Sequence, residues 1–266
     1  MRDGNVKGHW DFRFTPGSIQ PLPSTSLPVG QNAKADGATF LLDTIEESVK
    51  QTVVAFHVMA DSGGRLGATS IVAILPDGSI VSPQRVEDGA EQAKVATFDA
   101  LPAGEKVTFA LQPTLVEVKQ PVDLTIPVDG QTVAAGQAGQ PIPLSLTQQV
   151  GGENLGFTSI TPGTDSFQIR IENKQPDHSG RVLLFMPGPT DVTLTDNLGN
   201  TYPIMGGTSN FGKSDLLTMW ADASTFTFNG TPASGVTELT LHIDSYARQL
   251  RGPWKISVQL PAADNG

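Results

Sequence analysis

Lys106-Val-Thr-Phe-Ala-Leu111, followed by Gln120-Pro-Val-Asp-Leu-Thr-Ile126, is the stretch that decides the fold, because it occurs twice. It returns as Glu238-Leu-Thr-Leu-His-Ile243 followed by Gly252-Pro-Trp-Lys-Ile-Ser-Val258, at a constant offset of 132 and without a gap. Within each segment apolar and polar residues alternate, which is the period of a strand with one face buried. Two strands and their connection therefore recur at fixed length, the mark of an internal repeat.

Working backwards, the repeat extends over most of the chain. Thr97-Phe98 ahead of Pro102-Ala-Gly104 matches Thr227-Phe228 ahead of Pro232-Ala-Ser-Gly235, and Pro76-Asp-Gly-Ser-Ile80 matches Asn197-Leu-Gly-Asn-Thr201. The turn Asp61-Ser-Gly-Gly-Arg65 matches Asp177-His-Ser-Gly-Arg181, and the alternating strand around Phe56 matches the one around Ile169. Changes of offset between these blocks fall in turns, where insertions cost little. Short strands separated by Gly, Pro, Asn and Asp predict an all-β chain of sandwich type. The 28 Gly and 20 Pro in 266 residues fit that reading and disfavour long helices. Weak helical patterns remain at Glu87 to Lys94 and Ser214 to Asp222. A third trace of the last strand opens the chain: Gly8-His-Trp-Asp-Phe-Arg-Phe14 repeats the Gly-x-Trp-x-apolar-x-apolar pattern of Gly252 to Val258. On this reading the chain is a fragment of something longer. The organisation expected is an N-terminal strand with a Pro/Ser-rich linker over 1–36, a first sandwich over 37–129, a linker over 130–145 and a second sandwich over 146–266.

Charge and composition exclude several functions. There are 27 acidic against 17 basic side chains, a net charge of −10, so wrapping nucleic acid is electrostatically unfavourable. No apolar run is long enough to span a bilayer and no export signal leads the chain, so contact with a membrane is expected only through a segment absent from it. Without Cys there are no disulfides, thiolate metal sites or thiol nucleophiles.

The order Thr52-Val-Val-Ala-Phe-His-Val58, then Asp-Gly or Leu-Gly-Asn turns, then Leu-Thr-Leu-x-Ile and a closing Gly-Pro-Trp-Lys-Ile-x-Val, resembles immunoglobulin-like domains of bacterial envelope proteins, as in the extracytoplasmic parts of anti-sigma factors and related membrane-anchored proteins. The resemblance covers residues 37–261. It implies two tandem immunoglobulin-like sandwiches outside the cytoplasm, in the cell envelope or secreted, and membrane-tethered in the full-length protein. Anti-sigma activity is not assigned to these residues.

Motifs with catalytic potential read better as structure. Asp61-Ser-Gly-Gly resembles protease loops, but an aspartic site needs a second Asp-Ser/Thr-Gly and the repeat offers Asp177-His-Ser-Gly. A trypsin-like site needs upstream His and Asp partners, and only His9 and His57 precede Ser62. A hairpin turn explains the residues through their turn chemistry. His9, His57, His178 and His242 show no metal-ligand spacing. The acids Asp43, Glu46, Glu47 and Glu87, Asp88, Glu91 lack the alternating pattern of a calcium loop. Gly63 to Gly67 and Gly151 to Gly156 match no phosphate-binding fingerprint. Asp196-Asn-Leu-Gly-Asn200 reads as a hairpin turn with positive φ at Asn or Gly. Trp10 and Trp254 are in phase with inward residues and read as core.

Trp220 falls in an insertion, Met205 to Ala223, that only the second repeat carries. With Asn210, Phe211 and Lys213 it forms the candidate interaction loop. No catalytic, cofactor or metal residues are assigned. The expected function is a non-enzymatic extracytoplasmic segment of a bacterial envelope protein, serving as spacer, sensor or protein-interaction module, with a protein or glycan as partner. The alternative is a carbohydrate-binding or adhesive module using Trp220.

Overall fold

A computed structural model describes residues 24–90, 93–175, 179–184, 192–213, 217 and 219–262. The strand expected at 8–14, with His9 and Trp10, lies outside them, as do Glu91, Asp177 and His178.

The chain is nearly all β. The first half supplies β1 (Ser24–Ala35), β2 (Ala38–Ser48), β3 (Gln51–Ala60), β4 (Ile71–Ile74), β5 (Ile80–Val81), β6 (Arg85–Asp88), β7 (Lys94–Asp99), β8 (Lys106–Leu111), β9 (Thr114–Val118) and β10 (Val122–Pro127). A short helix, α1 (Gly130–Ala135), leads to β11 (Ile142–Val150), β12 (Glu153–Pro162), β13 (Ser166–Asn173), β14 (Val182–Leu183), β15 (Val192–Asp196), β16 (Thr201–Tyr202), β17 (Ile204–Lys213), β18 (Met219–Asn229), β19 (Glu238–Ile243), β20 (Tyr246–Leu250) and β21 (Lys255–Gln259).

The repeat appears as matching sheets. One unit has the order β1-β2-β3-β7-β6 facing β21-β8-β4-β5, and the other has β11-β12-β13-β18-β17 facing β10-β19-β15-β16. Registers correspond position by position: Ile71 pairs with Leu111 as Val192 pairs with Ile243, and Leu27 with Ile45 as Ile142 with Ile160. Inward residues of each facing pair share one core. Aromatic rings cross between the layers, Phe98 to Phe109 at 6.1 Å in the first unit and Phe167 to Tyr202 edge-on at 5.4 Å in the second.

The last strands, however, are exchanged. β10 follows the first repeat in sequence but pairs with β19 of the second, Val122 to Ile243 through Pro127 to Glu238. β21 closes the chain but pairs with β8 of the first, Lys255 to Ala110 through Gln259 to Lys106. Burial follows pairing: Leu124 and Ile126 belong to the second core, and Trp254, Ile256 and Val258 to the first. The unit boundaries expected at 129 and 146 are therefore corrected. The first unit is 24–111 with 255–259, and the second is 122–243, nested between them. Strand exchange leaves every local pattern unchanged, because each last strand buries an equivalent face wherever it docks.

The connections cross as paired strands. β9 and β20 run antiparallel, Thr114 to Leu250 through Val118 to Tyr246, with β14 on the far side of β20. Val116 also bridges Leu66, as its counterpart Arg248 pairs with Val182, so the crossover has an approximate two-fold. A small apolar cluster of Leu183, Ala221 and Ala247, with Leu115 against it, lies here.

Other expectations are corrected too. Residues 24–35, read as linker, form edge strand β1, whose Pro28 and Gly30 sit at a break in register between Pro28 and Gln31. An edge tolerates the N–H that proline lacks. The second linker holds α1, capped by the Asp129 side chain on Gln131 N, with Val133 buried. Over its described residues the weak helix at Glu87 to Lys94 is replaced at both ends by strands, Arg85–Asp88 and Lys94–Asp99, which pair with each other. The helix at Ser214 to Asp222 is replaced over its described end by β18. The insertion Met205 to Ala223 is an extension of the β17–β18 hairpin, interrupted by residues outside the description.

Candidate interaction surface and strand crossover

The expected interaction residues do gather on one hairpin. Asn210 pairs with Ala223, Phe211 with Ala221, Gly212 with Trp220 and Lys213 with Met219, with a bulge between Asn210 and Phe211. Phe211 and Met205 are exposed. The Trp220 ring lies across Gly212 so closely that a Cβ there would fall 2.0 Å from the indole. One indole face is thus already covered by backbone, in the manner of an aromatic residue shielding a strand glycine. The hairpin is tied down beside the candidate residues, where Ala221 N, next to Trp220 and paired with Phe211, donates to Gly180 O at 2.9 Å and Leu184 N donates to Ser224 Oγ at 3.3 Å.

The protease-like and acidic motifs are placed apart. Asp61 and Ser62 stand exposed on a turn closed by Gly63 N donating to Ala60 O at 3.0 Å. His57 Nδ1 lies 2.7 Å from Asp43 Oδ2. His242, on the outer face of the second unit, lies between Asp123 at 2.6 Å and Asp244 at 2.9 Å, and these hydrogen bonds, Asp123 first, raise its pKa. Asp123 sits on the exchanged strand directly opposite His242, so this pair clips β10 to β19. Among the described residues, no three His, Asp or Glu side chains converge as a metal site, and no helix is long and apolar enough to cross a membrane.

The densest polar constellation was not anticipated. Asp36 and Gly37 close the β1–β2 hairpin with φ of 48° and 79°, a two-residue turn of the kind that matches strand twist. The Asp36 carboxylate points into the crossover. It accepts both of its short contacts from Arg181 Nη1, at 2.7 and 2.8 Å, and another bond from Arg251 N at 2.8 Å, while Arg248 Nη2 approaches to 3.9 Å. Arg251 in turn donates from Nε to Gln249 Oε1 at 3.1 Å and from Nη2 to Gly180 O. Burial, then the neighbouring Arg181 charge, pulls the Arg251 guanidinium below its usual pKa. Glu153 completes the knot by accepting from Arg181 N, Val182 N and Asn173 Nδ2. A turn of the first unit, a loop of the second and the arm leading to β21 are thereby fastened at one carboxylate. In the second unit the equivalent turn residue is Gly151, where Tyr246 Oη would lie 2.9 Å from any Cβ, so the knot is built once. Asp36→Ala is expected to cost about 2 kcal/mol of stability in urea titration of the whole chain, the scale of charge-assisted hydrogen bonds.

A buried carboxylate, Asp196, organises the β15–β16 hairpin. Burial alone would raise the pKa of Asp196. Hydrogen bonds from Tyr202 Oη at 2.6 Å, Asn200 Nδ2 at 2.8 Å and the N–H groups of Asn200 and Leu198 outweigh it and hold the group at about 2. Gly199, at φ 86°, supplies the expected positive φ. With its folded pKa lowered, Asp196 contributes stability above its ordinary value near 3.8 and loses it as pH falls toward about 2. Asp196→Asn is therefore expected to be destabilised by roughly 2 kcal/mol at pH 7. That difference should shrink below about pH 4 in denaturation curves taken from pH 7 to pH 2.

No family model matches the chain, and no curated protein does. Among solved structures, the crystal structure of the conserved domain protein from Bacillus anthracis aligns over 88% of this chain and 91% of that one, at 10% identity and a TM-score of 0.25. Likeness at that level carries no argument about fold or function.

Proposed function

We propose that the chain is a non-enzymatic, extracytoplasmic interaction module of a bacterial envelope protein, made of two immunoglobulin-like sandwiches and tethered to the membrane through a segment outside this chain. The immunoglobulin-like and envelope parts of the reading rest on the strand signatures quoted above. The choice of interaction module over spacer rests on one observation, the position of the outermost strands among the described residues. β1 and β21 both belong to the first unit and pack on one another. A tether at either end therefore loads the first unit, and the nested second unit stands free of the load path. A spacer in series needs its ends on opposite units. A unit held out by its neighbour, carrying an extended hairpin with Phe211 exposed, suits presentation to a partner. A protein partner is favoured over a glycan because the exposed large side chains of the hairpin are the apolar Met205 and Phe211.

The test places an epitope tag in the exposed turn at Leu198 of the full-length protein in its native host. Antibody labelling of intact cells is expected. Labelling only after lysis contradicts the reading. Binding to a glycan array that disappears in Trp220→Ala moves the assignment to the carbohydrate-binding alternative.

A further inference from the structure

The first sandwich holds a cavity of about 440 Å³ between the close of β3, the loop that leads on to β4, and Lys94 at the start of β7. That volume falls among those of small-molecule sites, about 300–1,000 Å³. Val58, Ala60 and Leu66 supply an apolar wall, packed against the first core. Arg65 and Lys94 supply charge, and among the described residues no acid lines the cavity, although acids outnumber bases in the chain. Each cation meets one acid outside the wall: Lys94 Nζ donates to Asp88 Oδ1, and Arg65 Nε stands 3.9 Å from Glu117 Oε2. Thr69, also in the wall, is the unusual member. It is 8% exposed, and its Oγ1 is buried with no hydrogen-bond partner among the described residues, a state that folded proteins rarely leave uncompensated.

The repeat shows that this space is particular to the first unit. Ser224 stands in the second unit where Lys94 stands in the first, opposite Ile171 as Lys94 is opposite Phe56. There the place is closed. β18 begins at Met219, well ahead of Ser224; Ala221 N donates to the carbonyl of Gly180, the counterpart of Gly64, and the Ser224 hydroxyl accepts from Leu184 N. β7 has no such extension, because the chain turns back at once, with Gly89 N donating to Ala93 O at 2.8 Å and Ala93 N to Ala90 O at 2.9 Å. Where the second unit has a hydroxyl already in use, the first has an ammonium group at an open cavity.

The wall chemistry selects the ligand. The N–H groups of Gly63, Gly64 and Gly67 are spent on Ala60 O, Ser62 Oγ and Leu115 O, so these glycines form no cradle for a phosphate. Side-chain donors beside an apolar wall suit one carboxylate on an apolar body. We propose that the cavity binds a small organic acid, whose carboxylate bonds Lys94 and the Thr69 hydroxyl and whose body lies on Val58 and Leu66. The site is separate from the β17–β18 hairpin, so its failure leaves the reading of that surface as it stands.

The experiment titrates isocaproate and phenylacetate, each beside its uncharged amide, into the full chain and follows amide resonances and binding heats. The acids are expected to bind with Kd on the order of 1 mM or tighter, moving resonances between Val58 and Thr69 and at Lys94 and leaving β13, β15 and β19 unmoved. The amides should bind about tenfold more weakly. Thr69→Val keeps the shape of the side chain and should weaken the acids by about tenfold. It should also be at least as stable as the parent in urea, since the hydroxyl it removes has no partner in the unliganded chain. Lys94→Met should abolish the preference for acid over amide. No movement at these residues with either acid overturns the proposal. So does equal binding of acid and amide, because the charge is then not read, and so does a Thr69→Val protein that binds as the parent does or is less stable than it.

Discussion

Replacing Trp254 with alanine is expected to destabilise the first unit strongly and leave the second little changed, although Trp254 lies far closer in sequence to the second. The side chain is 1% exposed, packs in the core formed by Phe40, Phe56 and Phe109, and spends its indole N–H on two carbonyls of the β1–β2 hairpin. Truncation removes a large buried ring, about 3–5 kcal/mol, and leaves the carbonyls of Ala35 and Ala38 without that donor. This is a large share of the 5–15 kcal/mol that stabilises a typical domain. Amide hydrogen exchange locates the effect: protection should fall in β2, β3, β4 and β8 and persist in β13, β15 and β19. Loss confined to the second unit would contradict the exchange of strands.

Cutting the chain by its sequence repeat should fail, and cutting it by its sheets should succeed. A fragment of residues 118–247 contains every strand of both sheets of the second unit, with Tyr246 at its rim, and is expected to fold alone. A fragment of residues 130–266 looks like one complete repeat but lacks β10. It loses Leu124 and Ile126 from its core, each worth about 2–5 kcal/mol, along with a whole hydrogen-bonded ladder, and it carries β21 without its groove. It is expected to remain unfolded or to aggregate. Dispersion of amide resonances in the two fragments decides the matter, and a dispersed spectrum from 130–266 alone would sink the prediction.

The repeat was legible because its turns and alternation are local. Ile256 and Val258 announce an inward face, as do Leu124 and Ile126, whichever core receives them. The exchange was hidden for the same reason, since alternation says which face is buried and not against which sheet. A signal did exist. Gln112 to Lys119 and Asp244 to Arg251 carry strand-like alternation, Thr114-Leu-Val-Glu-Val118 above all, where a tight hairpin needs Gly or Asn with positive φ. Strand β1 was missed because Pro28 and Gly30 look like linker, and only the edge position makes them compatible with pairing. The acids at 87–88 suggested a helix, although an exposed edge strand is also a place for charge.

Site residues divide in the same way. Phe211 and Trp220 were found because an unmatched insertion stands out against a repeat. The Asp36 knot was not, since its members lie at 36, 153, 181, 248 and 251 and meet only because the arms cross. Asp36-Gly37 as a turn dipeptide and the Arg65/Arg181 correspondence were visible, and their convergence depended on topology.

Cross-strand NOEs in the intact chain test the exchanged topology most directly. It predicts contacts between Thr108 and Ser257 and between Thr125 and Thr240, the paired residues on either side of each exchanged ladder. Two sandwiches that each keep their own last strand would instead give contacts between Thr108 and Thr125 and between Thr240 and Ser257, and that result would contradict the account.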